Sequence, residues 1–259
     1  MVKVGLATIY SDPQGRLGDQ ASRMLPVLTG IFAGLAINAT VATHPQLLAH
    51  FTNTAIIRQA PLPQDGRAKI GRARKEAIEL ALQLDCPFIL YCDGDRILHW
   101  AEYHPEELRQ VVQQIGDSDF TVLGRTRRAF ETHPRTMRDT EAIVNHVFKL
   151  VSGYDWDVTA AARGLSRPAI EAIVAGCFDE AFSTDVSWPL FLQQQGDFSF
   201  SYMATEGLEY ETADKHRQEV TAAGGSAQWL AQLEQNPRAW ARRLEMAQIE
   251  IAAMLPFQE

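Results

Sequence analysis

Residues Pro87–Trp100 read Pro-Phe-Ile-Leu-Tyr-Cys-Asp-Gly-Asp-Arg-Ile-Leu-His-Trp. Phe88–Tyr91 is a short apolar run with β-branched and aromatic members. It follows a proline and stops at Asp-Gly, the pattern of a buried strand running into a turn. Asp93 and Asp95 then stand at the carboxyl end of that strand, where ligands bind in open α/β sheets. Gly94 between them lets the backbone approach a ligand closely or adopt positive φ. Two carboxylates this close repel unless a cation lies between them or one is protonated. Hard oxygen ligands suit Mg²⁺ or Mn²⁺, and Mg²⁺ is commonly held by one or two carboxylates together with substrate phosphates. The competing reading is an Asp-Gly turn that caps the next helix. The apolar strand directly before the triplet shifts the balance toward a metal pair.

Working outward, Val2–Ile9 is predicted as a first strand and Tyr10–Asp19, with Ser, Asp, Pro and Gly, as a loop. Ala21–Leu35 carries Met24, Leu28, Ile31 and Leu35 at helical spacing. Ala39–Thr43 and Ala55–Arg58 read as short strands either side of a short helix at Pro45–Phe51. A Pro/Gly loop runs through Gly66. Arg72–Leu84 is a helix with Ala73, Ala77, Leu80, Ala81 and Leu84 inward. Pro105–Ile115 is a helix opened by proline, and Phe120–Leu123 a strand. Strands alternating with helices over the first 125 residues imply a mostly parallel sheet. Further on, Thr140–Val151, Pro168–Val174, Val186–Gln195 and Pro237–Leu255 read as helices. Asp155–Ala162 reads as a polar loop with a short strand, Phe198–Met203 as an alternating strand, and Thr205–Glu219 as a charged stretch. No clear linker separates these elements. The expectation is one domain over 1–259, with a nucleotide-binding half (1–125) and an acceptor half (126–259).

The chain of 259 residues is long enough to bury a substantial core. A net charge of −8 argues against general nucleic-acid binding, so an anionic substrate needs a local basic patch. The three cysteines, Cys86, Cys92 and Cys177, form no C-x-x-C, which points to reduced thiols in the cytoplasm. Met1–Tyr10 has no cleavage-type site, and the apolar Leu25–Ile37 is too short and glycine-broken to span a bilayer.

Two basic runs stand out. Arg67, Lys69, Arg72, Arg74 and Lys75 place five cations in nine residues without an acid. In an acidic protein that suggests a phosphate or diphosphate partner, and Arg72 opens a helix whose N-terminus favours anions. The alternative is a solvated helix face whose charges pair with Glu76 and Glu79. Arg125–Arg138 holds five arginines around Glu131 and reads either as a mobile loop closing over an anion or as an exposed loop without a catalytic role. Asp185 opens a helix, either as a structural cap or as a carboxylate that takes a proton from, or orients, an acceptor hydroxyl. His216, in Asp-Lys-His-Arg, is either a surface residue or a third metal ligand. His99 and Trp100 either flank a bound sugar or base, or begin the next helix.

Taken together, the Val2–Ile9 strand, the Gly71-Arg72-Ala73-Arg74 helix start and Phe88–Tyr91 running into Asp93-Gly94-Asp95 resemble the nucleotide-diphospho-sugar glycosyltransferases of the GT-A fold. The likeness covers the first 125 residues and continues more loosely through Asp157–Ala161, Thr184-Asp185 and His216. It is most similar to mannosylglycerate-synthase-like transferases, with family 2-like transferases beside them. The resemblance implies a Rossmann-like, mixed and mostly parallel sheet flanked by helices. It implies a UDP- or GDP-sugar donor and a hydroxyl acceptor that the sequence does not define. It further implies Mn²⁺ or Mg²⁺ on Asp93, Asp95 and His216, with Asp93 toward the ribose, Asp95 toward the metal, and Gly94, Arg72 and Arg74 completing the donor site. Asp185 is the candidate base. Three other readings compete. A nucleotidyltransferase would carry a Gly-rich basic loop after the first strand, which Gly15, Arg16 and Gly18 match in part. A haloacid-dehalogenase-type phosphatase would place its aspartate pair after the first strand, where Asp12 has no partner two residues away. The third is a non-catalytic nucleotide-sugar-binding protein.

Overall fold

The computed structural model describes residues 2–61 and 70–258. Arg67, Lys69 and the 62–66 part of the Pro/Gly loop lie outside the described residues, while 59–60 extend β3. The strands are β1 (Val4–Tyr10), β2 (Gly34–Thr40), β3 (Ala55–Ala60), β4 (Phe88–Cys92), β5 (Phe120–Arg125), β6 (Ala162–Ser166) and β7 (Phe200–Thr205). They form one sheet in the order β3-β2-β1-β4-β6-β5-β7. The first four strands pair in parallel, and β7 is parallel to β5. β6 runs antiparallel to both of its neighbours. The sheet is therefore mixed and mostly parallel, as expected.

Parallel neighbours need crossovers, which here are helices. Thus α1 (Gly18–Ile31), α2 (Pro45–Ala49) and α3 (Ile70–Ala81) link the first four strands. Then follow α4 (Gly94–Tyr103) and α5 (Pro105–Gln114), then α6 (Arg127–Glu131) and α7 (Arg135–Ser152), and α8 (Arg167–Gly176) with α9 (Thr184–Gln195). The chain closes with α10 (Thr212–Lys215), α11 (Arg217–Ala222), α12 (Ser226–Glu234) and α13 (Pro237–Met254). Register and the two-residue side-chain period divide the core into two layers. Leu6, Leu35 and Leu90 point to one face with Leu28, Ile97 and Trp100; Ala7, Ala36 and Tyr91 point to the other with Ile78, Phe148 and Trp188. Burial on both faces explains why β4 reads as an unbroken apolar run rather than an alternating one. No helix among the described residues is long and apolar enough to cross a membrane. Cys86, Cys92 and Cys177 are free and buried.

Three departures from the sequence reading have physical causes. The first helix stops at Ile31 and does not run to Leu35. Phe32 turns extended and Ala33 N–H bonds to Val4 O, which starts β2 at Gly34, before the expected Ala39. Leu35 continues the helical spacing by coincidence, and pairing with β1 overrides it. The stretch Arg125–Arg138 is not a loop: α6 and the start of α7 occupy it, with the Thr126 side chain capping α6 by accepting from Ala129 N–H. Finally, β6 lies at Ala162–Ser166, beyond the Asp155–Ala162 stretch, with all five residues buried. A side chain at Gly164 would meet Ile115 at 2.7 Å, so glycine is what lets this strand slide between β4 and β5.

Candidate functional site

The turn after β4 passes straight into α4. Asp93 takes an extended conformation at the helix start, where its carbonyl accepts from Ile97 N–H at 2.9 Å. Its carboxylate makes no capping bond and is held sideways. Tyr91 Oη donates to Oδ1, and Arg74 Nη2 donates to Oδ2 at 2.9 Å. Gly94 is required by close approach to protein: a Cβ there would stand 2.3 Å from the Tyr10 ring and 2.5 Å from Ile9 O. Asp95 lies in the first turn of α4. Its Oδ1 accepts from Arg96 N–H at 3.1 Å, and its Oδ2 meets the Lys215 ammonium. Burial works against ionisation of Asp95, but the Lys215 charge prevails and holds the carboxyl below the usual aspartate range.

Arg74 projects from α3 into the same place and joins Asp93 to Asp185. Its Nη1 donates to Asp185 Oδ2 at 3.2 Å, while Arg163 Nη2 reaches Asp185 Oδ1 at 3.3 Å from β6. All four side chains are at least four-fifths buried. Burial opposes the Arg74 charge, yet Asp185 and Asp93 together raise its pKa well above the ordinary value. Burial lowers the pKa of Arg163, which shares Asp185 with Arg74. Asp185 sits inside the first turn of α9, and Ser183 occupies the cap position.

The other expected site residues do not join this group. Arg72 is exposed and its Nε donates to Glu76 at 3.0 Å, on the solvated face of α3. His216 follows α10 and turns away from its neighbour Lys215. Its Nδ1 accepts from Arg16 at 2.9 Å and lies 3.2 Å from Glu219, and its ring stacks on Trp229. His99 and Trp100 lie within α4 and are buried. In the second basic run, Arg125 is buried against Asp157 and Glu141, while Arg127 and Arg128 pair at the surface with Glu131, Glu206 and Glu209.

Asp93 and Asp95 face a cleft of about 350 Å³, also lined by Phe182, Tyr210, Arg242 and Met246. A smaller chamber beside it is bounded by Arg74, Arg96, Asp185 and Glu250. Burial first, and then Asp185 and Glu141, push the Glu250 carboxyl well above its ordinary range. Among the described residues, no three of His, Cys, Asp or Glu gather to hold a metal ion. Hydrogen-bond donors and cations surround Asp93 and Asp95, an environment that does not fit a divalent ion as arranged. Sequence reasoning missed Lys215, Arg163 and Glu250. Only Lys215 left a trace, as the neighbour of the histidine singled out.

No protein-family model and no curated protein matches the sequence. The fold does match solved structures. Against glucosyl-3-phosphoglycerate synthase from Mycobacterium tuberculosis in complex with Mn²⁺, uridine-diphosphate and phosphoglyceric acid, the TM-score is 0.53 at 10% identity. That match covers 86% of this chain and 78% of that one. Against the same enzyme in complex with uridine-diphosphate, the TM-score is 0.52 at 9% identity, covering 88% and 80%. At this identity the likeness is one of architecture, and by it the chain has the GT-A glycosyltransferase fold.

Proposed function

We propose that the chain is a glycosyltransferase that moves a sugar from a UDP- or GDP-sugar to an acceptor hydroxyl. One observation carries this reading. At the carboxyl end of the central strand, Asp93 and Asp95 line a cleft, and each is paired with a cation, Arg74 and Lys215 respectively. The same fold holds uridine-diphosphate in the M. tuberculosis enzyme. In this reading 1–125 bind the nucleotide and 126–259 the acceptor, within one domain. The free buried cysteines support a cytoplasmic setting.

The chemistry asked of the protein is modest. As the glycosidic bond to the diphosphate breaks, charge grows on the leaving oxygens, and preorganised cations stabilise it in a water-poor site. Arg74 is preorganised by Asp93 and Asp185, and Lys215 by Asp95. Asp185 spends both carboxylate oxygens on guanidinium groups, so its part is to position Arg74 rather than to accept a proton. Arg72 stays in the reading only as a peripheral charge near the nucleotide.

The matched enzyme's complexes with Mg²⁺ or Mn²⁺ and uridine-diphosphate favour a second, metal-bridged form, with the ion on Asp93, Asp95 and His216. That form requires Lys215 to leave Asp95 and His216 to approach the two aspartates, because among the described residues these three do not gather. The general reading is tested by calorimetry and thermal shift with UDP, GDP and their sugars, followed by a donor-hydrolysis assay. Saturable nucleoside-diphosphate binding with sugar release is expected. Pyrophosphate release from a nucleoside triphosphate would replace this reading with a nucleotidyltransferase. Binding without turnover on any acceptor would leave a nucleotide-sugar-binding protein.

A further inference from the structure

We propose that Lys215 is the resident cation of this site, so that the chain binds a nucleoside diphosphate without a divalent ion. The inference rests on the proposed function and deepens it, since it states how the diphosphate is met.

The Lys215–Asp95 contact belongs to an interface between two helices. Along α4, Asp95, Arg96 and His99 meet Lys215, Glu211 and Asp214 of α10 and the residue just before it. The Lys215 ammonium lies on Asp95 Oδ2, Arg96 Nη2 is 3.3 Å from Glu211, and His99 Nδ1 is 2.8 Å from Asp214. Each trio fits one helical face, because positions separated by three or four residues are neighbours there. Gln20 adds a second anchor by donating to Asp214 at 2.9 Å. The lysine is therefore delivered by a docked segment.

The surroundings leave little for a metal. Both Asp93 oxygens accept from Tyr91 and Arg74. Asp95 retains Lys215 and the Arg96 N–H. His216, the imidazole next to Lys215 in sequence, turns Nδ1 to Arg16 and Glu219, stacks on the Trp229 ring, and is not among the residues lining the cleft. A divalent ion would have to displace a largely buried ion pair to reach Asp95. An ammonium has three donors. With one on Asp95, which itself lines the cleft, the others are assigned to phosphate oxygens.

The experiment is calorimetric titration of UDP and of GDP into the full chain, once with chelator and once with excess Mn²⁺, for the parent, Lys215→Gln and Lys215→Arg. Circular dichroism and thermal melts establish that each is folded. The parent is expected to bind equally well in both conditions. Lys215→Gln is expected to lose about tenfold or more in chelator, the range for a hydrogen bond to a charged group. It is expected to recover with Mn²⁺, because its Asp95 is then free to ligate. Lys215→Arg should stay close to the parent. Binding by the parent only with Mn²⁺, or a Lys215→Gln protein that binds like the parent in chelator, overturns the inference while leaving the glycosyltransferase reading in place. Absence of nucleotide binding by a folded parent in both conditions overturns the two together.

Discussion

Two buried arginines, Arg125 and Arg74, look alike in composition and differ in saturation. Arg125 spends every nitrogen. Nε and Nη2 clasp Asp157 at 2.7 and 2.8 Å, Nη1 donates to Glu141 at 2.8 Å, Nη2 also reaches Thr159, and the guanidinium lies 4.5 Å from the Phe130 ring centre. Arg74 holds Asp93 and Asp185 but leaves Nε without a partner among the described residues, and it borders open space. A saturated cluster can only hold the fold together. An unsaturated one at a cavity wall has bonding capacity left for a ligand.

The sharpest way to break this comparison is to remove each arginine. Arg125→Met is expected to destabilise the protein by about 3–5 kcal/mol, because Asp157 would be left as a buried, unpaired charge and Glu141 would keep only Arg243 at 3.6 Å. Urea denaturation measures this, and nucleotide affinity at a temperature where the variant is folded should be unchanged. Burial opposes the charged form of Asp157, yet Arg125 holds the carboxyl far below its ordinary value. The pair's contribution is therefore fully present above about pH 4, the ordinary aspartate value, and is lost as pH falls below it.

Arg74→Lys should show the opposite balance. It keeps a charge for Asp93 and Asp185 but cannot fork between them. We expect about 1–3 kcal/mol of lost stability and at least a roughly tenfold loss of nucleoside-diphosphate affinity, the cost of a missing charged hydrogen bond. Arg72→Ala, run in parallel, should leave both unchanged within error, because its side chain faces solvent and Glu76. A large loss of affinity in Arg72→Ala would move the donor site along α3 and erase the contrast.

A smaller gain is expected at Glu250, on the wall of the smaller chamber. Its carboxyl is buried near Asp185 and Glu141, and Arg74 and Arg243 only partly offset them. A raised pKa means its contribution is fully present below the ordinary value of 4.5 and is lost as pH rises through the elevated one. Glu250→Gln should therefore be more stable than the parent at neutral pH, by about 1 kcal/mol or about 2–4 °C in Tm, with no gain at pH 4. A uniform loss of stability at both pH values would instead make Glu250 a required ionised partner of Arg243.

Most of the sheet was legible because its signals are local. The apolar run of β4, the helical spacing of α3 and α5, and the proline starts of α5, α8 and α13 each lie within one element. The Asp93–Asp95 turn was legible for the same reason, as was Asp185 at a helix start. What failed depended on partners elsewhere. Ala162–Ser166 does not read as a core strand, since it carries Arg163 and Gly164. The first is tolerated only because Val158 O, Asp185 O and Asp185 Oδ1 meet it, the second because Ile115 and Thr121 press against it.

The sequence by itself therefore determined an α/β chain with a carboxylate-bearing turn at the end of a buried central strand, because hydrophobic period and turn chemistry are properties of neighbouring residues. Only the tertiary structure decided which charges meet those carboxylates. Arg74 comes from the preceding helix, and Lys215 rather than His216 from a docked segment far along the chain, while Arg163 reaches Asp185 from an inverted strand. Buried charges must find opposite partners or pay desolvation in full, and that pairing is set by packing across the whole molecule.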